Sequence, residues 1–383
     1  MLLLHISLQI ETKHKYAGTL VLEDSREGRL RELDGWRAVS VLLVIVHHIG
    51  GYQHARTLSH FPGPASVVHY CGPLGVKIFF FISGFVICRL LISEELRCGS
   101  VSLKAFYYRR IFRILPPLYF YLGVLSLLLW LGLIHESRRA VFDGVFFLHD
   151  IHLVPLVPQS WFVGHTWSLA VEEQFYLIFP TMWVLTPKAW KGQVFLGVFF
   201  LCAAWNLSMV YTGWDAVISS DTRAGFACIA CGVLLAIHEG RVRLIVNDVP
   251  AFIVALAALT LLVHPVGSSS WQAALYECLL APPAIGLVLL FSLGRGAWLR
   301  AFLCSKPVQA VGLTSYGIYL WQQLFTAPTK YFFGPGQIIP LLLPLLCLIV
   351  PLSYFLIEKP TMSYGKFLSR RTRKCSIDAK AFA

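Results

Sequence analysis

Runs of about twenty apolar residues, broken by only an occasional charge, recur along nearly the whole chain, and a run of that length matches the hydrocarbon thickness of a bilayer. VFLGVFFLCAAWNLSMV and PLLLPLLCLIVPLSYFLI are two of them. With 57% of its 383 residues hydrophobic and only 14% charged, the chain does not have the composition of a soluble domain. Inside lipid every backbone N–H and C=O must be bonded within its own segment, which selects helices for such runs. The fold class is therefore all-α, a polytopic transmembrane helical bundle. Hydropathy places about ten spans, near 38–55, 72–93, 115–135, 165–187, 192–212, 222–238, 250–264, 273–293, 308–328 and 336–357.

The basic residues orient these spans. If residues 1–37 are cytoplasmic, segments on that side hold 25 of the 32 Lys and Arg, the opposite side has only Arg56, Arg138, Arg139 and Lys330, and Lys77, Arg89 and Arg223 fall within spans. That is the positive-inside asymmetry. An even span count returns the tail, with Arg370, Arg371, Arg373 and Lys374, to the cytoplasm, so both termini are expected there. The net charge of +12 is then topology with some attraction to anionic headgroups, and no nucleic-acid partner is needed to account for it.

The expected organisation is a cytoplasmic leader at 1–36, one membrane domain at 37–360 and a basic cytoplasmic tail at 361–383. MLLLHISLQI lacks the preceding basic region and the small-residue cleavage site of a signal peptide. No repeat and no soluble domain is read, so a partner completing a pathway is expected to be a separate chain. The ten cysteines suggest no disulfide framework. Cys228 and Cys231 form a CxxC with no second pair, which reads as helix packing rather than metal binding. The segment between the third and fourth spans, VFFLHDIHLVPLVPQSWFVGH, is too apolar for an ordinary solvated loop and is expected to re-enter the membrane edge or cover a cavity. His149, Asp150 and His152 lie in it without a further well-spaced ligand, so no metal is assigned.

Ionisable residues inside spans are costly enough to suggest function. Arg37 and His48 are separated by eleven residues on the first apolar helix. Eleven steps make about three turns and a rise of about 16 Å, so they share a face, Arg37 at the membrane boundary and His48 near mid-bilayer. His47 points about 100° away from that face. In YYRRIFRILPP, Arg109, Arg110 and Arg113 stand at the cytoplasmic mouth of the third span, and Arg110 and Arg113 share a face from which two guanidinium groups can grip phosphates. Positive-inside anchoring explains the same residues equally well. In HTWSLAVEEQFYLIFP, Glu172 and Glu173 either orient a histidine or an acceptor hydroxyl, or form a structural pair with Trp167, Tyr176 or an arginine. Asp221 and Arg223 read as a structural ion pair.

These segments together resemble the acyltransferase 3 family of integral-membrane O-acyltransferases. The resemblance runs in order through RELDGWRAVSVLLVIVHH, GPLGVKIFFFISGF, FYYRRIFRILPP, HTWSLAVEEQFY, SSDTRAGFACIACG, SYGIYLWQQ and the terminal EKP. It implies transfer of an acyl group, usually acetyl, from cytoplasmic acyl-CoA to a hydroxyl of a carbohydrate or glycosylated small molecule, with no metal, in a bacterial inner membrane. The family's Arg-x10-His falls on Arg37 and His48, its Arg-x-x-Arg on Arg110 and Arg113, and its glutamate on Glu172 or Glu173. Many members have a histidine directly after YLW, where this chain has Gln322, which bonds but takes up no proton near neutral pH. His48 is accordingly expected to be the sole base, with the donor phosphates on Arg110, Arg113 and Arg37. Direct transfer and an acyl-His48 intermediate both remain open. The rival classes are a proton-coupled transporter or flippase and a non-catalytic sensor derived from the family. A serine hydrolase is disfavoured, because Ser83 sits in ISGF with no GxSxG elbow. Oligomeric state is not assigned.

Overall fold

The computed structural model describes residues 30–54, 64–150, 160–212, 220–262, 271–294 and 296–372. Among them the chain is helical, with one isolated antiparallel β-bridge between Ile134 and Phe332. The helices are α1 Arg31–His54, α2 Pro64–Cys98, α3 Leu103–Trp130, α4 Arg138–Val145, α5 Thr166–Leu185, α6 Lys191–Thr212 and α7 Ser220–Ile237. They continue as α8 Glu239–Asp248, α9 Ala251–Leu262, α10 Trp271–Leu293, α11 Ala297–Leu303, α12 Lys306–Leu313, α13 Ser315–Thr326 and α14 Gly334–Thr372. Within the described residues, each apolar segment read from the sequence falls mainly on helix. Four described helices are individually long and apolar enough to cross a membrane: Tyr70–Cys98 within α2, α3, α10 and α14. The pair α8 and α9 adds a fifth if it counts as one span, although it bends by 110°.

α2 is the hub. Phe80, Phe81, Ile82, Phe85, Ile87, Cys88 and Leu91 are all buried along it. Its close approach to α7 depends on small residues: a Cβ added at Gly84 would strike the Ile229 carbonyl, and one at Gly232 would strike the Phe81 carbonyl and the Phe85 amide. α14 lies at the rim, with Leu341, Leu348, Phe355 and Leu356 exposed. Apolar side chains thus point outward as well as inward, the pattern of a helix whose surroundings are not water.

The charges buried in α2 are paired. Lys77 Nζ lies 2.6 Å from Glu277 Oε2, and Arg89 Nη1 lies 2.5 Å from Glu239 Oε1. Glu277 falls in a π-helical turn of α10, Tyr276–Leu280. Arg223 is fully buried and donates from Nε to Asn206 Oδ1 at 2.9 Å. The Asp221 side chain, read as its partner, lies outside the described residues.

Several boundaries differ from the sequence reading. The third span is read to residue 135, yet α3 stops at Trp130, because Gly132 takes a positive φ of 69°. The segment 308–328 is two helices, α12 and α13, meeting at Thr314 with φ −98° and ψ 8°. No disulfide framework is read from the sequence; Cys98 is disulfide-bonded, whereas Cys71, Cys88, Cys228, Cys231 and the other described cysteines are free.

Candidate active site

A cavity of about 80 Å³ opens where α1, α2, α3, α5 and α13 converge. Each helix contributes polar groups: Arg37 from α1, Ser83 from α2, Arg110 and Arg113 from α3, Ser168, Glu172 and Tyr176 from α5, and Ser315, Tyr316 and Tyr319 from α13. Arg110 and Arg113 are three residues apart on one helix face, and Glu172 and Tyr176 four apart on theirs, so each pair enters together. α3 is started by Ser102, whose hydroxyl accepts from the Ala105 amide at 3.3 Å.

The arginines are held from behind. Arg37 Nη1 donates to Asp34 Oδ1 at 3.1 Å, and its guanidinium stays within electrostatic reach of Arg113, Tyr176 and Glu172. The Arg110 guanidinium lies over the Tyr176 ring at 4.7 Å and near the Phe106 ring at 5.8 Å. Across the cavity the Ser83 hydroxyl donates to Glu172 Oε1 at 2.5 Å, and the Tyr176 hydroxyl donates to Ser83 Oγ at 3.2 Å and Glu172 Oε2 at 3.3 Å. Three guanidinium groups and the twice-bonded Glu172 carboxylate line the cavity, with Asp34 bonded to Arg37 behind them. Planar guanidinium forks gathered on one cavity suit phosphate.

His48 does not line this cavity. It lies farther along α1, with its ring centroid 5.2 Å from that of His47 and 6.0 Å from that of Trp161, and the Gln322 side chain interacts with it. Gln322 is fully buried; its amide donates to Gln323 Oε1 at 2.9 Å, and its own oxygen accepts from the Thr326 hydroxyl at 3.3 Å. Residues 160–165, just before α5, lie at this end, while residues 151–159 of the apolar segment read as re-entering the membrane edge or covering a cavity lie outside the described residues. Trp161 Nε1 donates to the Gln323 carbonyl at 3.2 Å, and the Tyr121 hydroxyl bonds the Phe162 carbonyl at 2.7 Å. The Ser168 and Tyr319 hydroxyls, which line the cavity, are 2.7 Å apart.

Glu173 is beside the cavity rather than in its lining. Its Oε1 is buried without a hydrogen-bond partner among the described residues, and it is electrostatically coupled to Arg110 and Tyr316. Arg109 turns away: Nη1 donates to Ser369 Oγ at 2.6 Å and Nη2 pairs with Glu94 at 3.2 Å, tying α3 to α14 and α2. Asp150 accepts both Gln174 amide hydrogen bonds, at 3.1 and 2.9 Å, while His152 lies outside the described residues.

The sequence reading named Arg37, Arg110, Arg113 and Glu172, and the structure brings these four to one cavity. It did not single out Tyr316 and Tyr319, which enter from the SYGIYLW segment at helical spacing, nor Ser83 as a hydroxyl bonded to Glu172. Glu358, from the terminal EKP, was also passed over. Its buried Oε1 has no partner among the described residues, and it is electrostatically coupled to Arg113.

A family model described as an acyltransferase domain, of the acyltransferase 3 type, matches residues 30–358. The chain is 27% identical to the peptidoglycan O-acetyltransferase OatA of Listeria monocytogenes, over 76% of this chain and 48% of that protein. It is 27% identical to the putative peptidoglycan O-acetyltransferase YrhL of Bacillus subtilis, over 88% and 56%. With the O-acetyltransferase OatA of Staphylococcus aureus it shares 26% identity, over 87% and 57%. The chain thus spans about half the length of these curated relatives. No solved structure matches it. The family match covers every helix that lines the cavity, and the chain belongs to the acyltransferase 3 family.

Proposed function

We propose that this chain is a membrane-embedded O-acyltransferase that moves an acyl group, acetyl in the simplest case, from cytoplasmic acyl-CoA to a hydroxyl of a carbohydrate acceptor. The observation that carries this reading is the convergence of Arg37, Arg110 and Arg113 on one cavity, at the start of the helix that also bears His48. The proposed setting is a bacterial inner membrane, crossed about ten times with both termini in the cytoplasm. The division is a leader at 1–36, a membrane domain at 37–360 and a basic tail at 361–383. The exposed apolar side chains of α14 would then meet lipid. The acceptor class follows the relatives, two of which are named for peptidoglycan.

In this reading the three arginines hold the donor's phosphates, which fits their number, and Val76, Phe79, Phe80, Ile114 and Leu169 give the uncharged part of the donor apolar lining. Glu172 keeps the cluster from being purely cationic, and its bonds to Ser83 and Tyr176 fix where its charge sits. His48 takes the proton of the acceptor hydroxyl as the oxygen bonds to the thioester carbonyl carbon. The carbon–sulfur bond then breaks and the sulfur receives that proton, so the products are the ester and free CoA thiol. Gln322 holds the imidazole through a bond that does not itself exchange protons.

The test is release of CoA thiol by purified protein in nanodiscs, with acetyl-CoA and a panel of peptidoglycan fragments and other glycans. Acceptor-dependent release together with O-acetylated product supports the reading. Transbilayer movement of a glycan without CoA release, by protein verified as folded, would replace it with transport.

A further inference from the structure

His165 immediately precedes α5 and is 5% exposed. Its backbone is tightly held, because its carbonyl accepts from the Tyr319 hydroxyl at 2.8 Å and from the Ser168 hydroxyl at 3.4 Å. Its ring is in the opposite condition. Neither Nδ1 nor Nε2 has a hydrogen-bond partner among the described residues. The ring is packed edge-on against Tyr121, with centroids 5.8 Å apart, and tilted against Tyr319 at 5.2 Å. Burying two unpaired polar atoms on one ring gives up hydrogen bonds that water would supply, and such a pair calls for an explanation.

The location supplies one. Ser168 and Tyr319 line the arginine cavity, so His165 stands directly behind that wall. It is also within electrostatic reach of His48 and of His149. The Tyr121 hydroxyl is committed to Phe162, the Tyr319 hydroxyl to the His165 carbonyl and the Gln322 amide to Gln323, while the Trp321 indole N–H, on a ring packed against Tyr121, also lacks a partner among the described residues but belongs to a side chain that makes no hydrogen bond to the cavity-lining Ser168 and Tyr319 pair. His165 thus holds a ring donor without a partner among the described residues, beside the cavity lining and within electrostatic reach of the proposed base.

We propose that His165 is a second reacting-site imidazole, a neutral ring whose N–H donates to the carbonyl oxygen of the acyl group as the acceptor oxygen adds to it. The inference rests on the acyl-transfer reading above and divides the work between two rings. His48 removes the hydroxyl proton and delivers it to the departing sulfur. His165 keeps its own proton throughout, and only its hydrogen bond strengthens as negative charge gathers on the carbonyl oxygen. The new bond is carbon–oxygen and the broken bond carbon–sulfur, with no further reactant.

The test uses the full chain in nanodiscs with acetyl-CoA and a peptidoglycan fragment. His165→Ala is expected to lower kcat about 100-fold, the typical cost of one lost oxyanion donor, with the acetyl-CoA KM within about threefold of wild type. His165→Gln, which restores an amide N–H, is expected to recover about tenfold of that loss. Wild-type kcat in His165→Ala, a loss confined to KM, or no difference between the two variants would overturn the role. His48→Ala in the same assay separates the two claims. An inactive His48→Ala beside a fully active His165→Ala sinks only the His165 role, whereas a fully active His48→Ala sinks the reading beneath it. If both His165 variants fail to fold, carbethoxylation of His165 in the wild-type protein decides, read by mass spectrometry with and without a thioether analogue of acetyl-CoA. Protection by the analogue supports the contact; absent or unprotected modification overturns it.

Discussion

The Arg110 guanidinium carbon lies 4.7 Å from the centre of the Tyr176 ring, and the hydroxyl at the far end of that ring bonds both Ser83 and Glu172. One side chain therefore links a cation at the cavity wall to the carboxylate across from it. A buried cation over an aromatic face contributes about 0.5–2 kcal/mol.

Tyr176→Phe keeps the face and leaves Ser83 bonded to Glu172, so the KM for acyl-CoA is expected to rise by about two- to fivefold. Tyr176→Leu removes the face as well and is expected to raise KM by about tenfold or more. Initial-rate measurements over a range of acyl-CoA concentrations check the order; a Phe variant as impaired as the Leu variant would contradict it.

Arg110 and Arg113 differ from Arg109 in what they face. Arg110→Ala or Arg113→Ala removes a charge-assisted phosphate contact worth about 1.5–3 kcal/mol, a rise in acyl-CoA KM of roughly tenfold to a hundredfold. Arg110→Lys is expected to recover only part, since an ammonium has no bidentate fork. Arg109→Ala is expected to act mainly through the Glu94 and Ser369 contacts, lowering thermal stability more than it raises KM. Binding of radiolabelled acyl-CoA beside a melting curve separates the two effects.

The two adjacent glutamates are expected to separate. Glu172→Gln keeps the size but replaces a charge-assisted bond from Ser83 by a neutral one, and turnover is expected to fall at least about tenfold. Glu173→Gln alters a carboxyl outside the cavity lining and is expected to cost less. Paired measurements of kcat/KM for the two variants test this, and equal losses would contradict it.

Gly84 bears on stability. Its missing Cβ leaves room for the Ile229 carbonyl, so Gly84→Ala must spread α2 from α7, and such overpacking costs about 1–3 kcal/mol. A Tm lower by several degrees is expected, read by tryptophan fluorescence in nanodiscs. An unchanged Tm would show that the two helices yield at no cost.

Helix positions were legible because a bilayer leaves each long apolar run only one way to satisfy its backbone. The arginine pair was legible for a similar reason, since three-residue spacing fixes a shared face whatever surrounds it. Arg109 shows the limit. It stands next to two cavity arginines with the same charge, and only the 100° turn per residue, together with Glu94 and Ser369 on neighbouring helices, sends it elsewhere. Ser83 and Glu172 are 89 residues apart, and Ser168 and Tyr319 are 151 apart. Those pairings arise from how α5 packs against α2 and α13, for which local sequence carries no signal. The third and ninth segments were misread in extent because the Gly132 turn and the break at Thr314 interrupt runs whose hydropathy continues.

The most direct measurement is acceptor-dependent CoA release by His48→Ala beside wild type, with folding and acyl-CoA binding verified for both. The account predicts that His48→Ala binds acyl-CoA through Arg37, Arg110 and Arg113 as wild type does but loses turnover by at least about 100-fold, the scale of a lost general base. Turnover equal to wild type, from folded protein with intact acyl-CoA binding, would contradict it.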